Sequence, residues 1–90
     1  MNKARRKAIA DIQEQVRKAQ EILQAAAEQL DAIKDEEEEY FYNMPDSIQE
    51  GERGEKAQAA IDNLDEALTA LEGMGEELDT ALESMDSAAE

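Results

Sequence analysis

Apolar residues recur along this chain at alternating steps of three and four, in two runs parted by a single proline. In the first run they fall at Ile9, Ile12, Val16, Ala19, Leu23, Ala26, Leu30 and Ile33, and the pattern continues through Glu37 to Tyr40. In the second they fall at Ala57, Ile61, Leu64, Leu68 and Leu71, pass Gly75, and resume at Leu78, Leu82 and Met85. Spacing of this kind puts one stripe along one face of an α-helix, the seam of a coiled coil. Both runs are rich in Ala, Leu, Glu, Gln and Lys, the strong helix formers, and neither contains a proline.

The connection reads NMPDSIQEGERG, residues 43 to 54. Asn43 can end a helix, Pro45 cannot continue one, Ser47 with Glu50 predicts a capping box, and Gly51 and Gly54 loosen the restart. A linker this short allows only an antiparallel return. The expected fold is therefore all-α: one domain, residues 1–90, forming an antiparallel two-helix coiled-coil hairpin. Its helices are expected at about 3–42 and 52–87, with a turn at about 43–51. Gly73 and Gly75 leave two readings open, a kink or break at 73–75 or a close helix approach at Ala19.

Folding the chain about Ser47 pairs the seams at a constant residue-number sum of 94, from Ile9 with Met85 and Ile12 with Leu82 to Ile33 with Ile61. This register also accounts for a lopsided charge. The chain carries 24 acids against 9 bases, net −15, yet residues 1 to 18 sum to +4 and the remainder to −19. The register sets Lys3, Arg5, Arg6 and Lys7 beside Glu83, Asp86 and Glu90, and Arg17 and Lys18 beside Glu76 and Glu77. Each exposed pair is worth only a few tenths of a kcal/mol, so this zipper specifies orientation more than it stabilises.

Beside the seam, the second helix carries Ala60, Ala67, Met74, Ala81 and Ala88 at one flanking heptad position, matched by Ala8 and Ile22 on the first. A two-stranded coil with several alanine layers buries little, so this apolar flank is expected to be an interface. Its expected uses are a homodimer that forms a four-helix bundle, or a helix of a partner protein, the remaining alternative being no stable contact. The opposite flank reads Gln58, Asp65, Glu72, Asp79 and Asp86, thickened by Asp62, Glu66, Glu76 and Glu83. It is either a solvated surface or a binding surface for something basic.

Asp35, Glu36, Glu37, Glu38 and Glu39 crowd the C-terminal end of the first helix, where the helix dipole disfavours carboxylates. All three aromatic residues follow at once. Tyr40 and Phe41 are expected to plug the open end with Met44 and Ile48, whereas Tyr42 points elsewhere. Together with Asp35, Glu36, Glu38, Glu39 and Met44, Tyr42 forms a candidate partner-binding tip.

With no cysteine and no histidine, the chain lacks thiolate nucleophiles, imidazole bases and the usual zinc ligands. Consecutive acids on a helix point in all directions, so no metal site is expected. A hairpin offers no pocket to shift a carboxylate pKa, and no enzymatic activity or cofactor is expected. The net charge repels nucleic acid and anionic membrane, and the expected partner is a protein with a basic surface. No apolar run approaches a membrane span and no signal-peptide stretch follows the basic start, which predicts a cytoplasmic protein.

The stretch DEEEEYFYNMPDSIQEGERGEKAQAAIDNLDE, residues 35 to 66, resembles a group of small acidic helical proteins of bacteriophages and prophages. They share an acidic run, a Tyr-Phe pair, an Asn-Met-Pro turn and a Glu-Arg-x-Glu-Lys-Ala helix start. The likeness covers about a third of the chain, and Gly51 and Gly54 depart from it. It implies a phage-derived inhibitor or DNA mimic that occupies the basic surface of a host or defence protein. A first helix of about 60 Å, at ~1.5 Å per residue, would carry the 24 acids at about one per 2.5 Å, against one charge per ≈ 1.7 Å in duplex DNA. The competing expectation is an assembly module whose acids only solvate it.

Overall fold

The computed structural model describes the whole chain, Met1–Glu90, and is all-helical with no strand. Three helices follow one another: α1, Lys3–Tyr42; α2, Asp46–Gln49; and α3, Glu52–Ala89. Asn2 caps α1, its side-chain oxygen accepting the Arg5 N–H at 2.8 Å. At the other end the Asn43 N–H donates to the Glu39 carbonyl at 3.1 Å.

The single turn of α2 replaces the expected capping box. Ser47 lies inside it, and no side chain caps it; the Pro45 carbonyl instead accepts the N–H groups of Ile48 and Gln49 at 2.9 and 3.0 Å. Gln49 then ties the turn to α1. Its Nε2 donates to the carbonyls of Phe41 and Met44 at 3.1 and 3.2 Å, the Phe41 carbonyl also accepting the Met44 N–H at 3.1 Å. Gly54 is buried, and a Cβ there would overlap the Gln49 backbone. It tightens the restart of α3 against α2, where the sequence suggested it would loosen it.

α3 continues unbroken through Gly73 and Gly75, so the helix does not end there. The expectation of a close helix approach at Ala19 fails. Nothing lies within 4 Å of where a Cβ would stand at either glycine, and Ala19 makes no close approach to Gly75.

α1 and α3 lie side by side and run in opposite directions. Arg6 Nε donates to the Ala89 carbonyl at 2.9 Å near one end, and Lys34 Nζ to Asp65 Oδ1 at 2.9 Å towards the other. The pair measures 68 × 15 × 13 Å, and its radius of gyration is 20.2 Å. A compact domain of this length would have about 12 Å. Only Ala57, Ile61 and Leu68 form the buried apolar core, and no large side chain is fully enclosed.

The inner face of α3 is the predicted one: positions 57, 61, 64, 68, 71, 75, 78, 82 and 85 are all buried or half-buried. On α1 the predicted stripe is only partly covered: Ile9, Val16, Ala19, Leu23, Leu30 and Glu37 are half-buried, but Ile12, Ala26, Ile33 and Tyr40 are exposed, and Gln13, Gln20, Ala27, Lys34 and Phe41 take inner places. The helix is turned by one heptad column, roughly 50°. Cross-helix partners accordingly have numbers that add to 95 or 99 in place of 94.

This turn removes the expected charge zipper. Lys7 pairs with Asp11, Arg17 with Glu14 and Lys56 with Glu52, each within its own helix. Asp86 accepts from Gln13, not from a base. Lys34 to Asp65 is the one ion pair that crosses between helices.

Candidate functional site

Three side chains of α1 reach across to three aspartates of α3 at matched seven-residue intervals. Gln13 Nε2 donates to Asp86 Oδ1 at 2.6 Å, Gln20 Nε2 to Asp79 Oδ1 at 2.6 Å, and Lys34 Nζ to Asp65 Oδ1 at 2.9 Å. Gln13 is also buried and lies 3.4 Å from the Leu82 carbonyl. The heptad demands a fourth rung at Ala27 and Glu72. Ala27 has no polar group to offer, so Glu72 has no partner across the pair.

An open groove of about 690 Å³ lies around this missing rung. Leu23, Ala27, Leu71 and Gly75 give it an apolar floor, and Glu28, Glu72, Glu76 and Asp79 crowd its edges. Such a groove suits a lysine or arginine side chain, whose methylene stem can lie on the floor while its charge meets the carboxylates. Sequence periodicity missed the ladder because only apolar residues were counted. The signal was present in the repeat of Gln13, Gln20 and Lys34 in phase with Asp86, Asp79 and Asp65.

Lys34 is the one group whose ionisation is clearly displaced. Its pKa is raised above 10.5, first by the hydrogen bond to Asp65 and further by the negative charges of Asp65, Glu38 and Asp31, with desolvation opposing. Glu38 lies 3.7 Å from the same ammonium.

Every member of the predicted acidic flank, Asp62, Asp65, Glu66, Glu72, Glu76, Asp79 and Glu83, is exposed. Heptad position places Asp65, Glu72 and Asp79 on the edge that meets α1, with Asp62, Glu76 and Glu83 one column outward; Glu66 falls round the back of the helix. The flank is therefore a band rather than a cluster.

The tip is more dispersed. Asp35, Glu36, Glu39 and Tyr42 are exposed and radiate in different directions, whereas Glu38 and Met44 are half-buried. Tyr42 is 72% exposed, touching Phe41 edge-on with ring centres 5.4 Å apart. Phe41, Met44 and Ile48 are half-buried at that end, beside the turn, but Tyr40 stands half exposed and takes no full part in the expected plug.

On the side away from the ladder lie Ala8 and Ile22 of α1 with Ala60, Ala67, Met74 and Ala81 of α3. The turn of α1 adds Ile12, Ile33 and Tyr40 to them, residues the sequence pattern had placed in the seam.

No buried polar side-chain atom lacks a partner, and no three acids converge closely enough to hold a metal ion. No helix is long and apolar enough to cross a membrane. No protein-family model, curated protein or solved structure matches this chain.

Proposed function

We propose that this chain is a non-enzymatic, phage-derived acidic hairpin that engages a basic surface of a host or defence protein, one that itself binds DNA, as an inhibitor or DNA mimic in the bacterial cytoplasm. The observation that carries the reading is the missing rung. The acids at Asp65, Asp79 and Asp86 are already held by donors from α1, while Glu72, with Glu28 and Glu76 beside it, lines an open groove without a cation from the chain itself. A net charge of −15 would draw a basic protein to this band from a distance. Beyond it, the tip residues Asp35, Glu36 and Glu39 add further exposed carboxylates, and Tyr42 an exposed ring.

The test is capture of partners from bacterial lysate at low and high salt. Wild type is compared with a Glu72→Lys, Glu76→Lys variant and with a tip variant in which Glu36, Glu38, Glu39 and Tyr42 become Ala. A partner held by wild type at low salt, released at high salt and lost from the groove variant supports the reading. Equal capture by the groove variant sinks it, and loss from the tip variant alone moves the site to the tip.

The second reading is an assembly module, a coiled-coil hairpin whose acids only keep it in solution. The exposed apolar side favours it. The two readings use opposite sides of the helix pair, so one molecule can satisfy both.

A further inference from the structure

We infer that the broad side opposite the ladder is covered by a second copy of this chain, the two helix pairs closing into a four-helix bundle. Five of the seven large apolar residues that stand exposed, Ile12, Ile22, Ile33, Tyr40 and Met74, fall on that side; only Met74 comes from α3. Alanines of both helices fill the space between them. The side thus joins large and small residues along most of the pair, as a helix-packing surface requires.

Area argues that something must cover it. A compact monomer of 10.0 kDa exposes about 5,200 Å², whereas this chain exposes 6659 Å². The excess is about 1,400 Å² per chain. Two copies that each hid this much would bury about 2,800 Å² in all, within the range of obligate homodimers. The internal core is correspondingly thin, with three buried apolar residues to hold 90 together.

Charge argues that the cover is a like chain. Two molecules at −15 repel each other over most of their surfaces. From Ala8 to Ile33 on α1 and from Ala60 to Met74 on α3, however, the heptad columns that form this side hold no charged residue. A basic partner finds nothing there to pair with. A second copy related by a two-fold axis meets the same neutral surface, and both acidic edges remain on the outside of the bundle.

Sedimentation equilibrium of the full chain alone, with melting followed by circular dichroism at several concentrations, tests this without any basic partner present. It therefore succeeds or fails independently of the proposed target. Wild type is expected at about 20 kDa, twice its 10.0 kDa mass, with a melting temperature that rises with concentration. Ile22→Asp with Met74→Asp alters two residues that are 70% and 48% exposed in the single chain. It should raise the dissociation constant at least ~100-fold by placing charge in an apolar interface. Thr69→Glu, on the acidic side, should leave the mass at the dimer value. If the double variant unfolds, a concentration-dependent melt in wild type still reports the coupled assembly. A helical wild type at 10 kDa with a concentration-independent melt overturns the inference, as does a double variant that remains dimeric or a wild type larger than a dimer.

Discussion

On one side of the helix pair, Gln13, Gln20 and Lys34 reach Asp86, Asp79 and Asp65; on the other, Ile12, Ile22 and Ile33 of α1 and Met74 of α3 stand about half or more exposed. Both sides flank the same thin seam. The polar side has the directional contacts and so sets how α1 is turned, while the apolar side has most of the unburied hydrophobic surface. The difference teaches that hydrogen bonds across an exposed edge can orient a helix when the apolar pattern permits more than one orientation. Under the proposed function and the inferred dimer the sides have different tasks, recognition by charge on one and association by burial on the other.

The largest expected effect comes from breaking what the two sides share. Leu68 is 8% exposed, in the middle of the seam. Leu68→Ala should cost about 2–4 kcal/mol in thermal unfolding followed by circular dichroism. Partner capture and self-association should fall together. If one survives intact, that side does not depend on the seam.

Next come two glycines of α3 with opposite expected signs. A Cβ on Gly54 would run into the Gln49 backbone, so Gly54→Ala should destabilise by about 1–3 kcal/mol despite its better helix propensity. A Cβ on Gly75 meets nothing within 4 Å, and Gly75→Ala should stabilise by up to about 1 kcal/mol. Melts of the two variants showing shifts of the same sign would contradict this placement of α3 against the turn.

How far these features were legible in the sequence differs between the helices for a physical reason. α3 has one apolar column pair, bordered on one flank by acids and on the other by small residues, so its inner face can be read directly. α1 has apolar residues in three neighbouring columns, those of Leu23, Ala26 and Ile22, and periodicity alone cannot choose among them. The observed choice brings Gln13, Gln20 and Lys34 to three aspartates of α3. The role of Gly54 was illegible because it depends on a one-turn helix that the predicted capping box displaced. The position of the acidic band could be read from composition and heptad position, but the gap in its ladder required the pairing.

A smaller effect follows from filling that gap. Ala27→Lys places an ammonium opposite Glu72 with the same offset that joins Lys34 to Asp65. An exposed pair of this kind adds about 0.2–1 kcal/mol at low salt. Because the new side chain occupies the groove, the variant should be slightly more stable and should lose the salt-sensitive partner, with its oligomeric state unchanged. Retention of the partner with added stability would show that the groove is structural space rather than a binding site.

The smallest expected effect isolates the Lys34 rung by pH. Its pKa in the folded chain lies above 10.5, chiefly because Asp65 accepts a hydrogen bond from the ammonium, while desolvation opposes the charged form. A raised pKa means that the folded state holds the proton more tightly than the unfolded state. The resulting stabilisation is fully present below the unfolded lysine value, about 10.4, and is lost as pH rises through the folded value. Wild type should therefore lose melting temperature above about pH 10.4 more steeply than Lys34→Arg, whose guanidinium stays charged, and than Lys34→Met, which has no proton to lose. The three chains differ only at position 34, so the differences among them report that residue alone. Parallel curves would mean that the lysine gains nothing from Asp65. A steeper wild-type curve would show that the polar side contributes to holding the pair in its turned orientation, the orientation that leaves Ile12 and Ile33 on the opposite side to be covered.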